Sequence, residues 1–244
     1  MKKNILIGLF ALAALNGFAA ESYQDKLYPW LIPLRDAVYE QVLGANAVYP
    51  IYITAKNRAE ADLSGAERLN VLSLCEYFMG RTYQYYDQNN NALACYERGY
   101  ALAEESLKIK ETSDGWVLRS NNLGQMCTLK SNAYVMSHGL DVGKYSENAL
   151  KLNRRNATAQ HIIASRWIYA PAPFHNLSKG ISMMKEILSG NYDMERDDLF
   201  NVYTALAYAY LRDKNKAEAR IWIDKALTIY PTNKYVAQEL KGQL

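Results

Sequence analysis

The chain has 244 residues, half of them hydrophobic, with six prolines and 20 tyrosines, enough for one or two globular domains or a single solenoid and too apolar for long disordered linkers. Its formal charge is +3, but Lys2 and Lys3 belong to a leader of the removable type, and without them 26 basic side chains face 25 acidic ones. That balance excludes a general electrostatic case for nucleic acid or an anionic membrane surface.

Residues 1–20 start with Lys2 and Lys3, continue through an apolar run from Ile5 to Leu15 and end on the small residues Ala19 and Ala20. This is the layout of a secretory signal cleaved after Ala19 or Ala20, and the run is short for a bilayer span. The expectation is an exported, periplasmic or secreted protein, soluble after cleavage, with no transmembrane segment in the mature chain. The mature chain, 21–244, is expected to form one helical-repeat domain. Pro33 suits the first turn of a helix running to about Leu43, and a second helix covers Ala47 to Ala61 despite Pro50. This pair, 33–61, carries no repeat signature and reads as an atypical N-terminal hairpin.

Repeats follow at about 66–110, 114–152, 156–190 and 198–232, with a cap at 233–244. In the first, Ser64 and Glu67 have the spacing of a capping box, and Met79, Gly80, Tyr83, Ala92, Tyr96 and Gly99 fall at helix-pair spacing. The second is expected to start at a Ser113–Asp114 cap, run as a helix to Val135, turn over Gly139 to Gly143 and resume at Ser146. The third pairs Ile163, Ala164 and Trp167 with Gly180, Met184 and Ile187 across a long, Pro-rich turn. The fourth is the most legible. Tyr203, Leu206, Ala207, Tyr210, Ala219, Ile223, Ala226 and Pro231 occupy all eight signature positions of the 34-residue tetratricopeptide (TPR) repeat, with Tyr for Trp at the first and Ala for Gly at the third. Ala207 and Ala226 let two helices approach, and Tyr210 and Ile223 fill the space beside them. The fold class expected is all-α, a right-handed α-solenoid of TPR-like helix-turn-helix repeats.

Around Trp167-Ile168-Tyr169-Ala170-Pro171 and Lys179-Gly180-Ile181 the chain resembles a narrower group, the exported bacterial TPR proteins associated with tripartite ATP-independent periplasmic (TRAP) transporters. The resemblance implies a helical scaffold that binds a periplasmic substrate-binding protein, forms a homo-oligomer and carries a hydrophobic channel. The chain departs from that group in lacking a lipidation cysteine after the leader and in its less Gly-rich His175-Asn176 loop.

The first helix of each TPR pair lines the concave face. That places Tyr77, Arg81 and Tyr85 there from the first repeat, Cys127, Ser131 and Tyr134 from the second, His161 and Ser165 from the third, and Thr204, Tyr208 and Arg212 from the fourth. Aromatic and hydrogen-bonding groups on such a wall suit a protein or peptide partner, or alternatively a hydrophobic small molecule or lipid. Each tyrosine taken singly reads as a packing residue with a wet hydroxyl, and the groove taken whole reads as functional. The turn of the third repeat offers Tyr169, Phe174, His175 and Asn176 as a second contact point. No enzyme constellation is present. His138, His161 and His175 are scattered, no HExxH or GxSxG occurs, and no catalytic residue, metal or cofactor is expected. Cys75, Cys95 and Cys127 lack CxxC or metal-ligand spacing and read as small buried hydrophobes.

Overall fold

The computed structural model describes residues 23–170 and 173–244; the leader, and Pro171 and Ala172 of the Pro-rich turn, lie outside the described residues. The described chain is all-helical. Ten helices run in order: α1 Ile32–Glu40, α2 Ala45–Asp62, α3 Gly65–Tyr85, α4 Asn89–Ile109, α5 Ser113–Leu129, α6 Asn132–Leu152, α7 Ala157–Tyr169, α8 Leu177–Ser189, α9 Arg196–Arg212 and α10 Lys216–Ile229. A π-helical turn, Tyr235–Leu240, and a final 3-10 turn, Lys241–Gln243, end the chain.

Every helix packs against its successor through a short connection, and the odd-numbered helices also touch one another, α1 on α3, α3 on α5, α5 on α7 and α7 on α9. This is the arrangement of a helical repeat, with the odd helices forming one wall and the even helices backing it. Small residues set the spacing. A Cβ at Gly80 of α3 would stand 2.5 Å from the ring of Tyr96 on α4, and one at Gly180 of α8 would stand 2.5 Å from Ile168 on α7. Ala207, Ala219 and Ala226 are fully buried where α9 meets α10.

Four local expectations are corrected. The turn of the second repeat lies at Lys130–Ser131, and α6 runs straight through Gly139 and Gly143. The Ser131 hydroxyl caps α6 by accepting from the Tyr134 amide, whereas glycine inside a helix is tolerated at modest cost when packing favours the helix. Ser64 makes no capping bond with its side chain; Glu67 is drawn off to accept from the Tyr28 hydroxyl. The cap of α5 is Thr112, accepting from the Gly115 amide at 3.1 Å, and Ser113 donates instead to the Ala149 carbonyl. α1 stops at Gln41, which takes the left-handed conformation at φ 56°, short of the expected Leu43.

The row of odd helices curves until its ends meet. Tyr39 of α1 stacks on Tyr230 at 5.2 Å and sits edge-on to Phe200 of α9 at 5.5 Å. Asp36 accepts from the Tyr230 hydroxyl at 2.9 Å and pairs with Arg196 at 3.0 Å. The Asn233 amide donates to the Tyr39 carbonyl at 2.6 Å. Ahead of α1, the Gln24 amide donates to the Met194 carbonyl, and Lys26 binds Glu195 through its amide and Asp193 through its ammonium. The fully buried Arg35 ties this segment down through Asp25 and Asp36.

Candidate functional site

Closing five inner helices on themselves leaves a space between them. It is a chamber of about 1540 Å³ with wall residues from α1, α3, α5, α7 and α9, a contribution from α6, and the chain ahead of α1 crossing at Lys26 to Tyr28. Much of its surface is apolar, from Leu74 and Phe78 on α3, Val117 and Leu118 on α5, Val142 on α6 and Ile162 on α7. The helical period explains the supply. Residues such as Leu74, Tyr77, Phe78, Arg81 and Tyr85 recur three or four apart on α3, so all fall on one face.

Of the residues expected on the inner wall, Tyr77, Arg81, Tyr85, Cys127, His161, Ser165 and Thr204 line the chamber. From the loop set, Tyr169 does too. Nearly half of the Tyr169 surface is open, yet surrounding protein, then Tyr235 and Tyr208, push its phenol pKa upward. Enclosure without close packing is what a chamber wall should show.

Ser131 and Tyr134 are not wall residues. Because the turn comes at Lys130–Ser131, Tyr134 falls on α6, a backing helix, where it lies on His138 at 4.3 Å and under the Lys130 ammonium. Tyr208 and Arg212 also lie off the wall. Tyr208 packs on Tyr169 at 4.9 Å, and Arg212 donates to the Ile168 carbonyl at 2.7 Å, so both fasten α9 to the end of α7. Asn176 caps α8, accepting from the Lys179 amide at 3.0 Å. Phe174 is 73 % exposed on the outer edge, and the buried His175 Nδ1 has no hydrogen-bond partner.

Several wall residues lay outside the set expected from the sequence. Tyr39 comes from α1, which has no repeat signature. Asn201 and Asp197 precede Thr204 by one and two turns of α9, and that 3.6-residue phase was the available clue. Tyr235 enters from the terminal turn.

Two polar regions stand out in the wall. One is acidic, at the start of α9. Burial, then the Asp197 charge, lifts Asp198 to about 7, although it accepts from the Thr158 hydroxyl at 2.6 Å and the Glu195 amide at 3.1 Å. Burial also lifts Glu195 to about 7 and raises Asp197. The other is basic. Arg81 lies between two phenol rings, 5.8 Å from the centroids of Tyr39 and Tyr77, and its Nη1 donates to the Tyr77 hydroxyl at 2.9 Å. Nearby, burial and then the Arg81 charge hold His161 down at about 4, so it is a neutral imidazole at pH 7, 3.4 Å from the Ser165 hydroxyl.

The three cysteines are free thiols, two buried and Cys127 partly so. Burial pushes Cys75 and Cys95 up to about 12, far from the range of reactive thiolates. Among the described residues no group of three His, Cys, Asp or Glu side chains is placed to hold a metal ion, and no helix is long and apolar enough to cross a membrane. Neither the models of known protein families nor the curated proteins yield a match to this chain.

Proposed function

We propose that the protein is an exported, right-handed TPR-like solenoid whose inner chamber, open to solvent on part of its boundary, holds a largely apolar guest, a binding function without catalysis. The observation that carries this is the seam between α1 and α9. It turns an open groove into a chamber of about 1540 Å³, above the roughly 300–1,000 Å³ typical of small-ligand pockets. The ring of inner helices leaves less room for a folded partner than for a small apolar molecule against the walls of Leu74, Phe78, Val117 and Ile162. This favours the hydrophobic-ligand reading over a partner held in the groove. A partner protein of the TRAP type then meets the outside, where Met136 and Leu140 on α6 are 85 % and 76 % exposed and Phe174 is open as well.

The test is fluorescence titration of the purified protein with the apolar dye N-phenyl-1-naphthylamine. Saturable binding of about one dye per chain is expected, and Ser165→Trp, which places an indole in the chamber, should abolish it. Undiminished dye binding by that variant, or no saturable binding by the parent, overturns the reading.

A further inference from the structure

Arg81 projects from α3 into the chamber wall among side chains of α1 and α7, and its surroundings do not explain why it is an arginine. A guanidinium taken into a protein interior is usually paired, because desolvation of the charge is expensive. Among the described residues the other cations with little exposed side chain have acids beside them: the fully buried Arg35 has Asp25 and Asp36, Arg119 has Glu104 at 3.0 Å and Arg196 has Asp36 at 3.0 Å. Arg81 is half-buried, and among the described residues its polar partner is the neutral Tyr77 hydroxyl and no carboxylate pairs with it. The flanking rings of Tyr39 and Tyr77 attract a cation weakly and fix the guanidinium plane, but they leave most of its five N–H donors unused. Across from it, His161 is neutral and Ser165 supplies a hydroxyl. Thr204, 9 % exposed and in the same wall, has a hydroxyl with no hydrogen-bond partner. A fixed guanidinium with spare donors near a neutral imidazole describes one half of an anion site, and Thr204 adds an orphan hydroxyl to the chamber lining.

We propose that Arg81 seats the carboxylate of a monoanionic, long-chain organic acid whose apolar body occupies the rest of the chamber. The local charge selects the class. The other cations of the lining, Lys26, Lys110 and Arg166, are exposed, so at Arg81 one guanidinium meets one negative charge, and its planar fork matches a carboxylate through two parallel hydrogen bonds. A phosphate dianion would leave a charge uncompensated in the same chamber as Asp197, Asp198 and Glu195. The apolar walls of α3, α5 and α7 take the chain, and the acidic start of α9 excludes a second acid group there.

This inference rests on the chamber reading, and the experiment separates the two. Decanoate and decanol, which share a tail, compete with N-phenyl-1-naphthylamine on the full-length mature protein and on Arg81→Met. Decanoate is expected to displace the dye at least about tenfold more effectively than decanol, and Arg81→Met should erase that difference while leaving decanol unchanged. The thermal midpoint of ligand-free Arg81→Met should equal or exceed that of the parent, since an uncompensated charge is removed. Equal displacement by the two ligands on the parent protein overturns the carboxylate site while the chamber survives. A lowered midpoint in Arg81→Met, with the decanoate preference intact, makes Arg81 a structural residue. Failure of both ligands to displace bound dye overturns the site and the chamber together.

Discussion

At the scale of single residues, the positions that matter most are those where a side chain is missing. Gly80 faces Tyr96, which is fully buried and whose hydroxyl donates to Gln84 at 2.8 Å, so its ring cannot swing away. Gly99 likewise faces the side chain of the buried Asn122, which bonds the Leu118 carbonyl and Ser73. Gly80→Ala is therefore expected to destabilise the protein by about 1–3 kcal/mol, the usual cost of overpacking a well-filled core. Gly124, on the chamber wall, gives the contrast. A Cβ there meets nothing closer than Val142 at 3.7 Å, so Gly124→Ala should stabilise α5 by about 0.5–1 kcal/mol through helix propensity alone. Urea denaturation of the two variants checks both signs, and a Gly80→Ala protein as stable as the parent would refute the packing argument. Gly80 and Gly99 were legible because repeat spacing picks them out. Asn122 was not, because its side-chain partner Ser73 lies 49 residues away in sequence.

At the scale of elements, helices with strong periodicity were legible and the connections between them less so. The turn of the second repeat was read ten residues late, since Gly139 and Gly143 look like breakers while the true turn, Lys130–Ser131, has no glycine at all. Tyr134 was misplaced onto the inner wall as a direct result. The seam was invisible in the sequence, because it joins α1, which bears no signature, to residues nearly 200 positions later. Yet its chemistry is specific. Asp36 takes hydrogen bonds from Arg35 and Tyr230 and an ion pair from Arg196, and Asp36→Ala leaves the fully buried Arg35 with Asp25 and the more distant Glu195. A loss of about 2–4 kcal/mol is expected, within the range for breaking a part-buried ionic network. Because repeat proteins unravel from their ends, the loss should be local. Hydrogen exchange should speed up in α1 and the Tyr235–Leu240 turn while α3 to α6 stay protected. Uniform acceleration through all ten helices would show that the seam is no separate unit.

At the scale of the whole molecule, the seam and the core respond to acid in opposite directions, and that gives the chain a characteristic pH profile. Burial pushes the Glu76 carboxyl up, but hydrogen bonds from Arg98, Lys56 and Tyr52 outweigh it and hold the group below 4.5. Its ionised form is therefore better accommodated in the folded state than in the unfolded one. It supports the fold above pH 4.5, and that support goes as pH drops through the lowered folded value. Asp198 and Glu195 behave in reverse. With folded values near 7 against ordinary values of 3.8 and 4.5, the folded state keeps protons that the unfolded chain has released. Their support is complete at low pH and is lost as pH rises toward 7. The thermal midpoint should accordingly rise as pH is lowered from 7.5 to about 5, pass through a maximum, and fall below about 4.5. Asp198→Asn should flatten the neutral side of that curve and leave the acid side in place; Glu76→Gln should lower the curve at pH 6 and blunt the acid fall. Calorimetric scans across pH 3.5 to 8 distinguish the two limbs. A midpoint that climbs steadily up to pH 8 would mean that the acids beside the seam are ionised and solvated, and that the chamber is open along its α9 edge rather than closed by α1.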